Sequence, residues 1–213
     1  MSGYEILSVD DLDRYPGPTG ATQVLMPIRR RIGFRPFGVN AWVGEHRGDH
    51  VIERHREVGG HEELYLVLRG VAQFTLGEET FDAPVGTLVH AKPGTLREAI
   101  AAEPETIVLA VGAKPGEAFS PSPWEDFHVA IALLRRGEER RGREEMEIAM
   151  GRDPDAWQGA YNAACFEAIA GRRDEALEWL GKAVEAGGPD VKRYADEDPD
   201  FDDIRDDPRY AEI

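Results

Sequence analysis

Cysteine is almost missing from this chain. The single thiol, Cys165, has no intrachain partner, which excludes a disulfide scaffold. Lysine is scarce as well: only Lys92, Lys114, Lys182 and Lys192 occur among 25 basic residues. No apolar run approaches the ~18–20 residues of a membrane span. The first residues, Met1-Ser2-Gly3-Tyr4-Glu5, lack the basic-then-apolar order of a signal peptide, so none is expected. Positive charge is in deficit too. The 213 residues carry 41 Asp and Glu against 25 Lys and Arg, a formal charge of −16. A surface this acidic repels a phosphate backbone. The expectation is a cytoplasmic chain with neither nucleic acid nor membrane as its partner. G-x-x-x-x-G-K-[ST], G-x-G-x-x-G, C-x-x-C, H-E-x-x-H and G-x-S-x-G are all absent. Those absences weigh against a nucleotide enzyme, a structural zinc protein and the common hydrolases. What is present is 41% hydrophobic residues, enough for one or two packed cores.

The first half reads as strands. Apolar and β-branched runs recur at Gln23–Ile28, Val39–Val43, Leu64–Leu68, Ala72–Leu76, Thr87–Ala91 and Thr106–Val111. Glycine and proline separate them, at Gly38, Gly59-Gly60, Gly70, Pro84, Gly86 and Pro93-Gly94. Leu76-Gly77-Glu78-Glu79 reads as a tight hairpin with Gly77 supplying a positive φ. Many short strands at regular spacing predict a sandwich or small barrel. No helical stripe is expected before about residue 124. Arg29-Arg30-Arg31 and Arg35 form the one dense basic cluster and read as a solvated strand edge.

The segment Pro115–Pro123 is rich in Pro, Ser and Gly and reads as a linker, centred on residues 119–123. It divides a barrel over 1–118 from a helical part over 124–213. Helical stretches follow at Glu125–Arg136, Glu138–Met150, Asp155–Ala170 and Arg173–Ala186, with Asp153-Pro154 marking a start. Gly137 and Gly171 lie 34 apart, and the same shift pairs Glu144 with Glu178, Met146 with Leu180 and Ala149 with Ala183. This period resembles the tetratricopeptide repeat. Ala164, Gly171, Ala176, Leu180 and Ala183 occupy its small and apolar positions, whereas Glu167 replaces a large aromatic and Gly142 an alanine. The resemblance implies a domain that contacts a protein partner. The tail Asp190–Ile213, with 10 acidic and 4 basic residues, reads as a polar cap docked by Tyr194, Phe201, Ile204 and Tyr210.

Two further segments carry a second resemblance. Glu63-Leu64-Tyr65-Leu66-Val67-Leu68-Arg69-Gly70 is similar to the end of the first cupin motif, E-x6-G. Gly86-Thr87-Leu88-Val89-His90-Ala91-Lys92-Pro93-Gly94 is similar to the second, G-x5-P-x-G, with Lys92 in place of its first proline. The resemblance implies an all-β cupin barrel, a double-stranded β-helix or jelly roll, followed by the small α-helical tetratricopeptide-like domain. It also implies a homodimer through N-terminal strands.

The metal set that the family resemblance implies is broken here. Only Glu63 carries over. His55 stands for the first histidine, Glu57 replaces the next, five residues separate Glu57 from Glu63, and Arg97 takes the place of the last. A guanidinium is a permanent cation and not a normal metal ligand. One reading rebuilds the site. His61 and Glu63, two apart, share a strand face with Tyr65, and His55, His61 and Glu63, with His90 as a further donor, would hold Fe, Mn, Ni or Zn in a dioxygenase or isomerase. The other reading has no metal. Arg97, Glu63, His61 and Tyr65 would then hold a small, anionic ligand in a binding or sensing protein. A third reading is a non-catalytic scaffold. His46, His50 and His128 lie away from the motifs, and Cys165 reads as a buried apolar residue.

Overall fold

The computed structural model describes residues 5–17, 20–57, 60–120, 123–152, 154 and 156–213. Met1–Tyr4, Gly59 of the Gly59-Gly60 pair, Asp153 and Asp155 at the expected helix start, and residues 121 and 122 of the linker lie outside them. The chain divides into two compact units, one carrying the strands and one carrying the long helices.

Among the described residues the first unit has ten strands: β1 (Tyr15–Pro16), β2 (Val24–Met26), β3 (Gly38–Gly44), β4 (His50–Arg56), β5 (Glu62–Arg69), β6 (Val71–Leu76), β7 (Glu79–Pro84), β8 (Leu88–Ala91), β9 (Leu96–Ala101) and β10 (Thr106–Ala113). They pair antiparallel into a six-stranded sheet, β1-β2-β3-β10-β5-β8, and a four-stranded sheet, β4-β9-β6-β7. The main core draws Tyr65, Val67, Val89, Ala91 and Val108 from the first sheet and Val51, Phe74, Ala83, Ala99 and Ala101 from the second. Side chains of both sheets interdigitate there, as in a two-sheet sandwich. Alternation sends Ala41, Val43 and Ile107 to the opposite side of the larger sheet, where Val24 and Met26 of β2 lie beside them and Leu12 packs into the same cluster.

The strongly apolar runs form strands as expected. The Gly77-Glu78 hairpin joins β6 to β7, with Leu76 opposite Glu79 and Gly77 at φ 62°. Three strands have no apolar run to announce them: β4 reads His-Val-Ile-Glu-Arg-His-Arg, β9 reads Leu-Arg-Glu-Ala-Ile-Ala, and β7 is mostly exposed. A short helix α1 (Ile28–Ile32) corrects two expectations. It precedes residue 124, and it makes Arg29-Arg30-Arg31 helical rather than a strand edge, with Arg35 beyond its end. Arg29 is buried, and Arg31 Nη1 donates to Glu5 Oε1 at 2.7 Å.

The second unit is helical: α2 (Pro123–Arg135), α3 (Glu139–Arg152), α4 (Trp157–Ile169), α5 (Arg173–Gly187) and α6 (Pro189–Glu197). α2 packs on α3 and α4 on α5. The second pair starts 34 residues after the first, Pro123 to Trp157 and Glu139 to Arg173. Phe127, Ala130, Met146, Ala149, Ala163 and Phe166 form one core. Ala164, Cys165, Ala176, Leu180, Phe201, Ile204 and Tyr210 form the other. The tail therefore docks through Phe201, Ile204 and Tyr210, while Tyr194 is exposed and stacks on Trp157 with ring centroids 6.3 Å apart. Sequence reading missed α6, whose charged stripe hides Val191 and Ala195 on its buried side. Among the described residues no helix is long and apolar enough to cross a membrane.

Gly142 shows why the repeat needs a small residue on α3. A Cβ there would lie 2.7 Å from the Ala130 carbonyl oxygen and 3.1 Å from the Phe166 ring. Gly181 on α5 faces open space instead. Ala is the better helix former by about 1 kcal/mol. Gly181→Ala should therefore stabilise the protein by roughly that amount, whereas Gly142→Ala should destabilise it by about 1–3 kcal/mol through overpacking. Urea unfolding of the two variants reads the opposite signs.

Candidate functional site

The barrel register assembles one polar cluster. On β5, Tyr65 alternates with Leu64 and Leu66 to face the core, and Glu63 shares its side of the strand. In the other sheet β4 pairs with β9 so that His55 stands opposite Arg97. Arg97 is fully buried, and its guanidinium spans from β9 to β5. Its Nη1 donates to Glu63 Oε2 at 2.5 Å and its Nη2 to the Lys92 carbonyl at 2.9 Å. Its Nε is buried with no partner among the described residues. Tyr65 Oη donates to the same Glu63 Oε2 at 2.6 Å. His55 Nε2 stands 3.8 Å from that oxygen, while its Nδ1 lies 2.8 Å from the Glu53 carbonyl.

Two donors thus converge on one carboxylate oxygen, with the His55 ring close by. Burial pushes the Glu63 carboxyl up, but His55, Tyr65 and the Arg97 charge outweigh it and hold it below the usual carboxylate range. The Glu63 carboxylate in turn raises His55 above its ordinary value, against the opposing effect of burial. Burial first, then the Glu63 charge, raise the Tyr65 phenol, so it stays a protonated donor.

The structure does not bring His55, His61 and Glu63 together as a metal set. His61 turns to Glu57, Nδ1 to Oε1 3.4 Å, and not to Glu63. His61 precedes β5, so strand alternation does not govern it, and residues 58 and 59 of the Glu57–Glu63 spacer lie outside the described residues. His90 is exposed and stands 3.6 Å from Glu62. A divalent cation at Glu63 would meet the guanidinium already placed on it, a permanent like charge. The residues present therefore do not fit a barrel metal. Nor is Arg97 open to an anionic ligand, because both Nη groups are engaged and the side chain is sealed from solvent.

A second cluster lies in the helical unit. Among the described residues, one His/Cys/Asp/Glu group has its donor atoms within 4.8 Å of one another: Cys165, Asp198 and Asp200. Tyr161 Oη donates to Asp198 Oδ2 at 2.8 Å, Cys165 Sγ stands 3.8 Å from the same oxygen, and Arg135 Nη2 stands 3.3 Å from Asp200 Oδ1. Burial, then Asp198 and Asp200, push the Cys165 thiol well up, so it stays protonated. The apolar setting of Cys165 was legible in the sequence; its carboxylate neighbours, 33 residues away, were not. Glu167 is buried between Arg143, at 2.7 Å, and Arg172, which donates through Nε. His128 is buried beside Trp124, ring centroids 5.1 Å apart.

No family model matches the chain, and no curated protein matches it. Solved structures match in part. One, described as a sugar phosphate isomerase from a cupin superfamily of Silicibacter pomeroyi, is 15% identical with a TM-score of 0.46, covering 55% of this chain and 83% of its own. An uncharacterised double-stranded β-helix protein from Klebsiella pneumoniae is 25% identical at TM-score 0.42, covering 55% and 94%. A predicted oxalate decarboxylase from Thermotoga maritima is 14% identical at TM-score 0.43, covering 52% and 99%. The chain is similar to these structures over about half its length. The two-sheet sandwich itself stands on the strand pairing above.

Two outcomes follow from the cluster. Removing one member of a buried ion pair costs about 3–5 kcal/mol, whereas removing both is often close to neutral. Glu63 is partly exposed, so Arg97→Met should cost about 3 kcal/mol, and Arg97→Met/Glu63→Leu should recover most of it in urea unfolding. The pH dependence has two signs. The folded-state pKa of His55 is raised, so its stabilising contribution is complete below its ordinary value of 6.5 and is lost as pH rises through the higher folded value. The folded-state pKa of Glu63 is lowered, so its contribution is present above its ordinary 4.5 and is lost as pH falls through the lower folded value. On raising the pH from about 6 to 9, wild-type Tm should fall relative to His55→Asn. Parallel curves would remove His55 from the network.

Proposed function

We propose that the barrel is a metal-free small-molecule-binding module and that the helical unit serves as an interaction domain. The observation that carries the first part is the capture of Glu63 by Arg97 and Tyr65. The position that the cupin resemblance reserves for a metal-bound glutamate is held here by an internal cation. Glu63 and His55 stay partly exposed, so the polar cluster reaches the surface of the barrel. In this reading the protein binds or senses a small molecule through Glu63, with Arg97 and Tyr65 fixing the carboxylate and His55 beside it. The helical part is supported by the 34-residue offset between its two helix pairs, which is the tetratricopeptide spacing.

The test is a thermal-shift screen of a broad metabolite library against the full chain and against Glu63→Ala and Tyr65→Phe. Compounds that raise the wild-type Tm should lose that effect in both variants. Hits that survive in Glu63→Ala would place binding elsewhere. Elemental analysis of untagged protein should find no near-stoichiometric Fe, Mn, Ni or Zn that depends on Glu63. A metal that disappears in His61→Ala/Glu63→Ala would instead restore the metal-dependent dioxygenase or isomerase reading.

A further inference from the structure

We propose that the ligand of the barrel cluster is a neutral molecule that presents hydroxyl groups to Glu63, and not an anion; this rests on the ligand-binding reading above. The donors are unevenly distributed over the two oxygens of Glu63. Arg97 Nη1 and Tyr65 Oη both donate to Glu63 Oε2, at 2.5 and 2.6 Å. The nearest atom of His55 approaches that same oxygen, at 3.8 Å. Glu63 Oε1 has no partner among the described residues. The Glu63 side chain is 21% exposed, whereas that of Arg97 is 0% exposed. One oxygen of the carboxylate is consumed inside the barrel. The other is left as an acceptor on a side chain that solvent reaches.

The charge of the ligand follows by elimination. An anion finds no solvent-accessible guanidinium here. The Arg97 guanidinium is sealed from solvent, and its Nη groups are engaged by the Glu63 carboxylate and the Lys92 carbonyl. Displacing the carboxylate would strand Glu63 in a partly buried site, and a charged group left without its partner is strongly destabilising. A cation fares little better. Arg97 lies on the other oxygen of the same carboxylate and already neutralises it, and that guanidinium keeps its charge at every accessible pH. A neutral O–H donor meets neither obstacle. It completes the hydrogen bonding of Oε1, and bonds to ionised acceptors are the stronger kind. The acceptor is also pre-oriented, so little ordering is needed on binding.

Three molecules with one carbon skeleton separate the possibilities: sorbitol (neutral), gluconate (anionic) and 1-amino-1-deoxysorbitol (cationic). Their dissociation constants would be measured on the full wild-type chain by isothermal titration and ligand-observed NMR. Sorbitol should bind about tenfold tighter than either charged analogue, the value of roughly one charge-assisted hydrogen bond. In Glu63→Gln the amide oxygen should stay on Arg97 and Tyr65, which turns an NH2 outward. The order should then shift towards gluconate. Gluconate or the amine binding wild type best, equal affinities for all three, or no binding by any of them would overturn the inference. The wild-type order decides even if Glu63→Gln fails to fold. The ligand-binding reading fails separately. A Glu63-dependent hit in the broad screen that carries no hydroxyl would sink the hydroxyl inference alone, whereas an empty screen would sink both.

Discussion

The barrel depends on one ion pair. Arg97 enters from β9, Glu63 from β5, and the two strands belong to different sheets. Their contact therefore ties the sheets together at the polar end of an otherwise apolar interior. A guanidinium without solvent exposure is costly unless its charge and its N–H groups are matched. Glu63 supplies the charge, the Lys92 carbonyl accepts a second N–H, and Tyr65 donates to the same carboxylate oxygen, while Nε has no partner among the described residues. Remove any one of these and the others lose their reason to sit where they do. The same pair decides the chemistry. Arg97 gives Glu63 the positive charge that a metal would give, in a form that neither exchanges with dissolved ions nor changes oxidation state. What it leaves is an oriented carboxylate with one open oxygen.

The helical unit solves a related problem by different means. Helix pairs that repeat every 34 residues must pack through a few small positions, and Gly142 and Ala176 fill equivalent ones. Gly142 lets α3 approach the Ala130 carbonyl so closely that a methyl group would collide. Glu167, on α4, is buried in the helical unit. Burial alone would push its carboxyl up, but Arg143 and Arg172 hold it below the ordinary range. Arg143 also lies 5.4 Å over the Phe166 ring, so the ion pair is part of the packing between α3 and α4.

Most of the architecture was legible because apolar burial writes a period into the sequence. Val24–Met26, Leu64–Leu68 and Thr106–Val111 could be read directly. The helix pairs could be read from glycines and the 34-residue shift. Of the strands that escaped reading, β4 and β9 carry His55 and Arg97. A buried arginine replaces an apolar residue in the alternation and erases the strand signal at the place where the site forms. The cupin resemblance pointed to Glu63, Arg97, His55 and His61, and strand alternation added Tyr65. Neither could say which oxygen of Glu63 would be taken, because that depends on the stagger between two sheets. His61 was misjudged for a simpler reason: it lies before the strand, where period-two alternation has no force.

Both departures from the resembled motifs end in the same chemistry. Arg97 answers Glu63 in the barrel, and Arg143 and Arg172 answer Glu167 in the helices. A chain with 41 acidic residues and 25 basic ones has more carboxylates than cations to match them. With only four lysines, the matching falls to arginine. That suits buried carboxylates, since a planar fork can bridge two acceptors and a lysine offers a single, strongly hydrated point charge. The acidic excess is then left for surfaces, where water screens it. Inside each unit, charge is closed locally by arginine. The two pairs differ in exposure: the Glu63 side chain is partly open to solvent, whereas that of Glu167 is buried.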